Sequence, residues 1–178
     1  MTPVPEKTPE VSAIDGWFST VYGELRNAAH RARLGKRGDT LNTTLLVHEL
    51  YLRMKKSAGA EFAGKAQFFA YAGRALRSIM VDHARSRIAE RERYACIAAT
   101  ASEEASPGAL SPLQALALDA ALKELERDDA RAAKVFEMHF FSGLTLTEIA
   151  NHLELTGRTI DRDWRYARAF LQTALDGA

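Results

Sequence analysis

Side chains that can recognise nucleic-acid bases lie close together near the end of the chain. They are three arginines, a threonine and an aspartate: Arg158, Thr159, Asp161, Arg162 and Arg165. A guanidinium group can donate two parallel hydrogen bonds to guanine, and a carboxylate can accept one from cytosine. At roughly 100° per residue, the arginines cluster on the side of a helix opposite Ile160. The spacing predicts a helical face that reads DNA, although such a face can also simply solvate the outside of a two-helix hairpin.

Two carboxylates interrupt this basic face. Asp161 and Asp163 lie in the same predicted helix, so the surface is not uniformly positive. The mixture of charges favours discrimination between bases over nonspecific attraction, because a carboxylate and a guanidinium group select different base edges.

A short helix precedes this face in the sequence. Thr145 and Glu148 have the spacing of a capping box, and Leu144 can form a hydrophobic staple with Ile149. These entry signals predict a helix that begins near Leu146.

A second, longer helix follows after a break at Glu154 and Leu155. Thr156 can cap it. Its apolar positions recur at helical spacing: Ile160, Trp164, Ala167, Leu171 and Ala174. A short helix that packs beneath a longer one with an arginine face is typical of the helix-turn-helix, whose second helix lies in the major groove of DNA.

Charge is distributed unevenly along the 178 residues, although the formal net charge is only +1. Residues 15–94 hold 15 Lys and Arg against 8 Asp and Glu, whereas residues 95–130 hold 2 against 7. From residue 131 onward the two signs balance, with 6 of each. A basic first part, an acidic connector and a balanced second part indicate two modules with different duties.

The apolar pattern is helical throughout and predicts an all-α fold. Apolar residues recur at helical spacing from Ile14 to Leu25, from Leu45 to Met54 and from Phe69 to His83. Residues 95–112 combine small residues, acids and two prolines, as a linker does. Two more helices are expected, at about 113–125 and 130–141, with Asp128 or Asp129 as the cap and Gly143 as the terminator of the second.

Several classes of protein are not expected from the composition. No stretch approaches the roughly 18 consecutive apolar residues of a membrane span, and the first residues lack the apolar core of a signal peptide. A single cysteine, Cys96, allows neither an internal disulfide nor a multi-cysteine metal site. We therefore expect a cytoplasmic protein without a membrane partner, metal or cofactor.

One segment resembles a phosphate-binding P-loop but departs from it at a critical position. Gly59, Gly64 and Lys65 match the pattern, whereas Ala66 stands where Ser or Thr should hold magnesium. No apolar strand precedes the segment, so nucleotide binding is not expected.

Two histidines also raise the question of an enzyme. His48 and Glu49 begin like the helix of a zinc protease, but Leu52 stands in the place of the second histidine. His83 beside Asp82 could form an acid–base pair, although a structural role is the simpler interpretation because nothing else in the sequence completes a site.

Three segments share motifs with one protein family. Residues 144–171 read LTLTEIANHLELTGRTIDRDWRYARAFL, residues 46–53 read LVHELYLR, and Phe62-Ala-Gly64 precedes a long segment that ends at Arg87. These motifs resemble, in that order, region four, the polymerase-binding helix of region two and the promoter-melting segment of region two in sigma-70 factors. The chain thus resembles a small sigma factor of the extracytoplasmic-function (ECF) type over about residues 14–175, with no room for a region-three domain.

The resemblance implies a transcription initiation factor that binds core RNA polymerase and promoter DNA, directs the polymerase to specific promoters and assists melting. It implies two small helical domains joined by a flexible linker: a disordered tail at 1–12, region two at 13–94, the linker at 95–112 and region four at 113–178. It implies no catalytic activity, and it leaves an anti-sigma factor open as a further partner.

The resemblance also assigns roles to residues of this chain. The recognition helix would contact DNA through Arg158, Thr159, Asp161, Arg162 and Arg165. Promoter melting would involve Phe62, Lys65, Gln67, Arg74, Arg77 and Arg85. Polymerase binding would involve His48, Glu49, Leu52 and Arg53. Phe62, which lies in a loop, is the residue we expect to stack on an unpaired base, whereas Phe69 lies on the apolar stripe and is expected in the core.

Some positions depart from the family pattern, and other functions stay open. Glu154 stands in a turn where Gly is common, and positive φ at a non-Gly residue costs about 1 kcal/mol or more. Leu45 and His48 replace polar residues that are common in the polymerase-binding helix. The main alternative is a helix-turn-helix regulator whose first lobe binds an effector or a partner; an enzyme that uses His83 and Asp82 is the third.

Overall fold

The computed structural model describes Gly16, Gly23 and residues 43–56, 62, 64–94 and 110–176. From residue 43 onward these residues form six helices. They are α1 (Thr43–Lys56), α2 (Lys65–Tyr94), α3 (Pro112–Asp128), α4 (Ala130–Phe140), α5 (Leu146–Leu153) and α6 (Gly157–Asp176). The predicted all-α class is confirmed. Apart from Gly16 and Gly23, the helix expected from Ile14 to Leu25 lies outside the described residues, as do the cysteine and the linker up to residue 109.

The start of α3 lies one residue before the predicted start of this helix. Ser111 Oγ accepts a hydrogen bond from the Gln114 N–H at 3.2 Å, and Gln114 Oε1 accepts one from the Ser111 N–H at 2.9 Å. Pro112 occupies the first turn, where a missing N–H costs nothing. The helix therefore begins at Pro112, with Ser111 as its cap.

Helix α4 begins and ends at the expected signals. The Asp129 carboxylate accepts hydrogen bonds from the N–H groups of Arg131 and Ala132, at 3.0 and 2.9 Å. Asp129, rather than Asp128, is therefore the cap of α4. After the helix ends at Phe140, Gly143 adopts φ 77°, a conformation that glycine accepts without strain.

Two apolar clusters hold the helices together, and α2 contributes to both. The first cluster combines α1 and the first half of α2 with buried residues around the helix-turn-helix: Leu144, Ile149, Ala150 and Ile160. The second combines Met80, Val81 and Ala84 of α2 with residues of α3, α4 and α6. Phe69, Ala72, Leu76 and Ile79 are buried, as their spacing predicts.

Residues of the two predicted lobes therefore pack against each other. We use first lobe for the described residues 43–94 and second lobe for 110–176. Helix α2 of the first lobe contacts α3, α4 and α5 of the second lobe. The sequence pattern predicts each helix but not this contact, because a charge sum or a spacing says nothing about which faces of two modules meet.

Candidate nucleic-acid interface

The first helix of the helix-turn-helix begins at the predicted capping box. Glu148 Oε2 accepts a hydrogen bond from the Thr145 N–H at 2.9 Å, and Thr145 Oγ1 accepts one from the Glu148 N–H at 3.2 Å. The bond from the Thr145 backbone holds the pKa of the Glu148 carboxyl below its usual value. Leu144 and Ile149 are both buried in the first apolar cluster, where a hydrophobic staple belongs.

The turn between α5 and α6 places a charged residue in a left-handed conformation. Glu154 has φ 55° and ψ 39°, and it is the only non-glycine residue with positive φ in the part of the chain that the structure describes. The Leu155 N–H donates to the Ala150 carbonyl at 3.0 Å. The backbone therefore adopts the conformation for which many such turns use Gly.

Helix α6 is capped by Thr156 and buries the predicted apolar stripe. Thr156 Oγ1 accepts a hydrogen bond from the Thr159 N–H at 3.3 Å. Ile160, Ala167 and Leu171 are buried, and Trp164 is partly buried.

Aromatic contacts attach α6 to α4. The Trp164 ring stacks on Phe136 with centroids 5.5 Å apart and meets His139 edge-on at 4.4 Å. His139 Nδ1 lies 2.7 Å from the carbonyl oxygen of Leu144, which leads into α5. These contacts hold α6 against α4 and leave the opposite face of α6 exposed to solvent.

The predicted recognition residues share that opposite face. They line one open concavity: Arg158, Thr159, Asp161, Arg162 and Arg165. Four of the five are exposed, and Thr159 is partly exposed. The structure thus brings together the side chains that spacing alone placed on one side of a helix.

Asp163 does not belong to this face, contrary to its assignment with Asp161 at the sequence level. Its side chain is 2% exposed, and Arg131 of α4 bonds both of its oxygens, through Nε at 2.5 Å and Nη2 at 3.1 Å. The same pair raises the pKa of Arg131. Spacing could have revealed this, because Asp163 lies three residues after Ile160 and four before Ala167, both on the buried stripe.

The residues expected to act in melting lie in different environments. Phe62 is partly buried, with its ring edge-on to Phe68 at 5.2 Å and to Tyr71 at 5.8 Å. Lys65 begins α2, and its Nζ lies 3.8 Å from Glu148 Oε1 of α5. Gln67, Arg74 and Arg85 are exposed along α2. The Phe62 ring therefore packs on the lobe with part of its surface accessible.

Arg77 occupies a different position from the other α2 cations. Its side chain is 11% exposed, and its Nε donates to Asp119 Oδ1 of α3 at 2.8 Å. Nη1 bonds Glu137 of α4, and Nη2 donates to the Asp119 carbonyl at 3.2 Å. Burial lowers the pKa of Arg77, but Glu137 and Asp119 outweigh that effect and raise it above its usual value. In this arrangement the guanidinium group faces the second lobe, not an open surface.

The α1 residues expected at the polymerase interface separate into two groups. His48 is exposed, and Leu52 is 45% exposed beside Leu45 at 49%. Glu49 and Arg53 form an ion pair at 3.4 Å, and Arg53 also bonds Asp82 at 3.0 Å and Ser78 at 2.8 Å. Arg53 therefore attaches α1 to α2 while the neighbouring positions face solvent.

The enzyme interpretations receive no support from this geometry. An acid–base pair with His83 would need the Asp82 carboxylate. That carboxylate accepts a hydrogen bond from Arg53 instead. Within the described residues, no three His, Cys, Asp or Glu side chains come close enough to hold a metal ion.

Comparison with known proteins identifies the family. The profile of the family described as ECF sigma factor matches residues 7–177. The chain belongs to the ECF sigma factor family. It is thus a transcription initiation factor of a DNA-binding, regulatory class, and the family implies binding to core RNA polymerase and promoter DNA. Sigma factors are generally not enzymes. Searches of curated proteins and of solved structures each returned no match.

Membership of the family is compatible with the described helices. None of the helices in the described part of this sigma factor is long and apolar enough to cross a membrane. The helix-turn-helix lies where the region-four resemblance placed it, at α5 and α6.

Three charged residues of this sigma factor are missed by motif comparison. Arg131 bonds Asp163 of α6, and Asp119 and Glu137 hold Arg77. The burial of Asp119 could have been predicted from the sequence, because Asp119 lies four residues after buried Ala115 and three before buried Leu122. Burial raises the pKa of Asp119, yet Lys123 and Arg77 hold it below its ordinary value.

Proposed function

We propose that this sigma factor binds core RNA polymerase through α1, selects promoters through α6 and assists melting through the start of α2. The observation that carries the proposal is one exposed face of α6, on which five residues able to contact bases or phosphates line one concavity. The protein needs no catalytic activity for this role, because its binding to polymerase and promoter DNA is enough to direct the polymerase.

Promoter selection rests on the arginines of α6. Arg158 and Arg162 lie one helical turn apart on the exposed face, so both can enter the same major groove. A well-aligned bidentate contact between arginine and guanine is worth about 1–3 kcal/mol against the wrong base. Asp161 lies between them in the sequence. Its carboxylate can accept a hydrogen bond from a cytosine amino group, and it disfavours a base edge that carries only acceptors.

Polymerase docking rests on the solvent face of α1. Leu45, His48 and Leu52 follow helical spacing and are exposed. Leu45 and Leu52 are each about half exposed and lie about two helical turns apart. They form an apolar strip that a protein partner can cover. Glu49 lies beside the strip and supplies a charge that a basic partner surface can match.

Melting rests on Phe62 and the cations at the start of α2. Stacking of a base on an aromatic side chain is worth about 1–3 kcal/mol, and Lys65 could hold the adjacent phosphate. Arg74 and Arg85 continue a basic track along the exposed side of α2. Arg77 can join that track only after it leaves Asp119 and Glu137.

Copurification with core RNA polymerase tests the docking step. Glu49→Lys reverses a charge at the proposed interface and should abolish association with core enzyme. The matched control is Lys56→Glu, which reverses an exposed charge in the last turn of the same helix and should leave association intact. Undiminished capture of core enzyme by Glu49→Lys removes α1 as the docking helix. Tight binding of the wild-type chain to an operator without core enzyme would favour a helix-turn-helix regulator instead.

A further inference from the structure

A guanidinium group of a neighbouring helix lies beside the exposed face of α6. Arg131, in the first turn of α4, donates to Asp163 Oδ2 through Nε at 2.5 Å and to Asp163 Oδ1 through Nη2 at 3.1 Å. Arg162, which lines the concavity of α6, places its Nη2 3.4 Å from the same Oδ1. Because both arginines contact one carboxylate oxygen, their guanidinium groups are neighbours.

The three side chains of this cluster differ in exposure. Asp163 is 2% exposed, whereas Arg131 is 42% exposed and Arg162 is 71% exposed. Asp163 and, more weakly, Asp129 raise the pKa of Arg131, so its guanidinium group stays charged. The carboxylate that the two arginines share therefore lies below the surface, and both cations reach solvent above it.

Arg131 keeps hydrogen-bond donors that Asp163 does not use. A guanidinium group carries five N–H donors in one plane, and Asp163 accepts from its Nε and Nη2 edge. The two donors of Nη1 point away from that edge, and among the residues that the structure describes none accepts from them. Arg131 can thus bind a second anion without releasing the first.

The position of Arg131 along α6 indicates which anion it can meet. An α-helix with its side chains is about 10–12 Å wide, close to the roughly 12 Å width of the major groove of B-DNA. A recognition helix in that groove therefore has the sugar-phosphate backbone along its flanks. Asp163 lies in the second turn of α6, near the N-terminal residues that contact base edges in helix-turn-helix proteins. A guanidinium group of α4 at this level can reach a phosphate that borders the groove.

We propose that Arg131 contacts a phosphate of the promoter beside the bases that α6 reads, and that Asp163 is the positioning residue that orients Arg131 for this contact. The proposal rests on the proposed function, because it places α6 in the major groove. Two directional bonds to Asp163 orient the guanidinium group before DNA arrives. The phosphate contact carries no sequence information, but it fixes the register in which Arg158 and Arg162 meet base edges.

The salt dependence of promoter binding tests this contact. Each variant is combined with core RNA polymerase, and the Kd of the closed complex on a promoter fragment is measured from about 50 to about 200 mM KCl. Arg131→Gln can still donate to Asp163 but carries no charge. It should weaken binding roughly fivefold at the lowest KCl concentration, and the ratio of its Kd to the wild-type Kd should fall roughly threefold over the series, because one fewer counterion is released. Arg131→Lys keeps the charge and should follow the wild-type salt dependence.

Sequence preference separates a phosphate contact from structural support of α6. The same holoenzymes are tested on promoter fragments with single-base changes. Arg131→Gln should weaken binding to all of them by the same factor, because a phosphate contact does not depend on the base. Arg162→Ala should instead change the relative affinity at one position. Arg127→Gln replaces an exposed arginine in the last turn of α3 and is the matched control, with wild-type binding expected at every KCl concentration.

Three results would overturn the phosphate contact. The first is a ratio of Kd values for Arg131→Gln that stays constant as the KCl concentration rises. The second is an equal loss of affinity in Arg131→Lys and Arg131→Gln at every KCl concentration. The third is a changed base preference with a lowered Tm in Arg131→Gln, which would leave Arg131 only a structural role.

The same series separates failure of this contact from failure of the proposed function. If Arg162→Ala loses affinity and Arg131→Gln does not, only the Arg131 contact is removed. If neither variant loses affinity for any promoter fragment, α6 does not read the promoter, and both proposals are overturned.

Discussion

Arg131 of α4 holds the carboxylate of Asp163 on α6 with two hydrogen bonds, at 2.5 and 3.1 Å. Asp163 lies on the buried side of α6, whereas Arg158, Arg162 and Arg165 are exposed, and Arg162 Nη2 also lies 3.4 Å from Asp163 Oδ1. Because both bonds are directional, the pair fixes the rotation of α6 about its own axis. The arginines that we propose to face the major groove thus depend on an ion pair formed on another side of the same helix.

Asp163 and Asp161 should therefore behave differently when each becomes Asn. Asp163→Asn should lower Tm and reduce transcription from every promoter, because Arg131 loses its anionic partner and α6 loses its anchor. Asp161→Asn should leave Tm unchanged and alter preference at one promoter position, by about 1–3 kcal/mol. Thermal melting and promoter-variant binding separate the two. Equal effects of both replacements on Tm would contradict the assignment.

Glu154→Gly should stabilise the protein. The residue has φ 55°, and release of about 1–2 kcal/mol of left-handed strain exceeds the roughly 0.5–1 kcal/mol of added chain entropy. We expect a net gain of about 0.5–1 kcal/mol in the free energy of unfolding, measured with urea. Glu154→Ala keeps a Cβ atom and is the control, with no such gain expected. A loss of stability in the glycine variant would show that the Glu154 side chain does more than occupy the turn.

The capping box should contribute to stability in a pH-dependent way. The folded protein lowers the pKa of Glu148, chiefly through the hydrogen bond from the Thr145 N–H. The stabilisation is therefore present above the unfolded pKa, about 4.3, and is lost as the pH falls through the lower folded pKa. Glu148→Gln can still accept the bond but does not titrate, so its free energy of unfolding should fall less steeply below about pH 5. Glu126→Gln, at an exposed position of α3, is the matched control. If the free energy of unfolding falls as steeply with decreasing pH in Glu148→Gln as in Glu126→Gln, the mechanism is contradicted.

Phe62→Ala with Lys65→Ala tests whether the first lobe opens DNA. The variant should retain core association and closed-complex formation but lose permanganate-reactive thymines, because no ring remains to hold an unpaired base. A template with a pre-opened bubble should restore transcription. Phe62 also packs on Phe68 and Tyr71, so a thermal melting curve is needed beside the assay. A destabilised variant that the bubble fails to rescue would assign Phe62 to packing alone.

The local structure was largely predictable from sequence because its signals are local. The capping residues Thr145, Thr156 and Asp129, the terminator Gly143 and the apolar stripe of α6 all lie within a few residues of the helix that they define. The positive φ of Glu154 occurs at the position where Gly is common in such turns. Each is a contact between near neighbours, which spacing records.

The partners across the lobes were not predictable in the same way. Arg77 meets Asp119 and Glu137, which lie 42 and 60 residues further along the chain. Burial within an apolar stripe shows that a charge such as Asp163 faces inward, but it does not name the cation that meets it. That information exists only once the helices have packed.

Transcription with reconstituted polymerase tests the central claim most directly. Sequencing of transcript ends after overproduction would define the promoter, and purified core enzyme would then be assayed with wild type, Arg158→Ala, Arg162→Ala and the control Arg127→Ala. We predict a transcript that requires the wild-type protein, a loss in each recognition-helix variant that corresponds to about 1–3 kcal/mol, and full activity in the control. Wild-type levels of transcript from both recognition-helix variants would contradict the account.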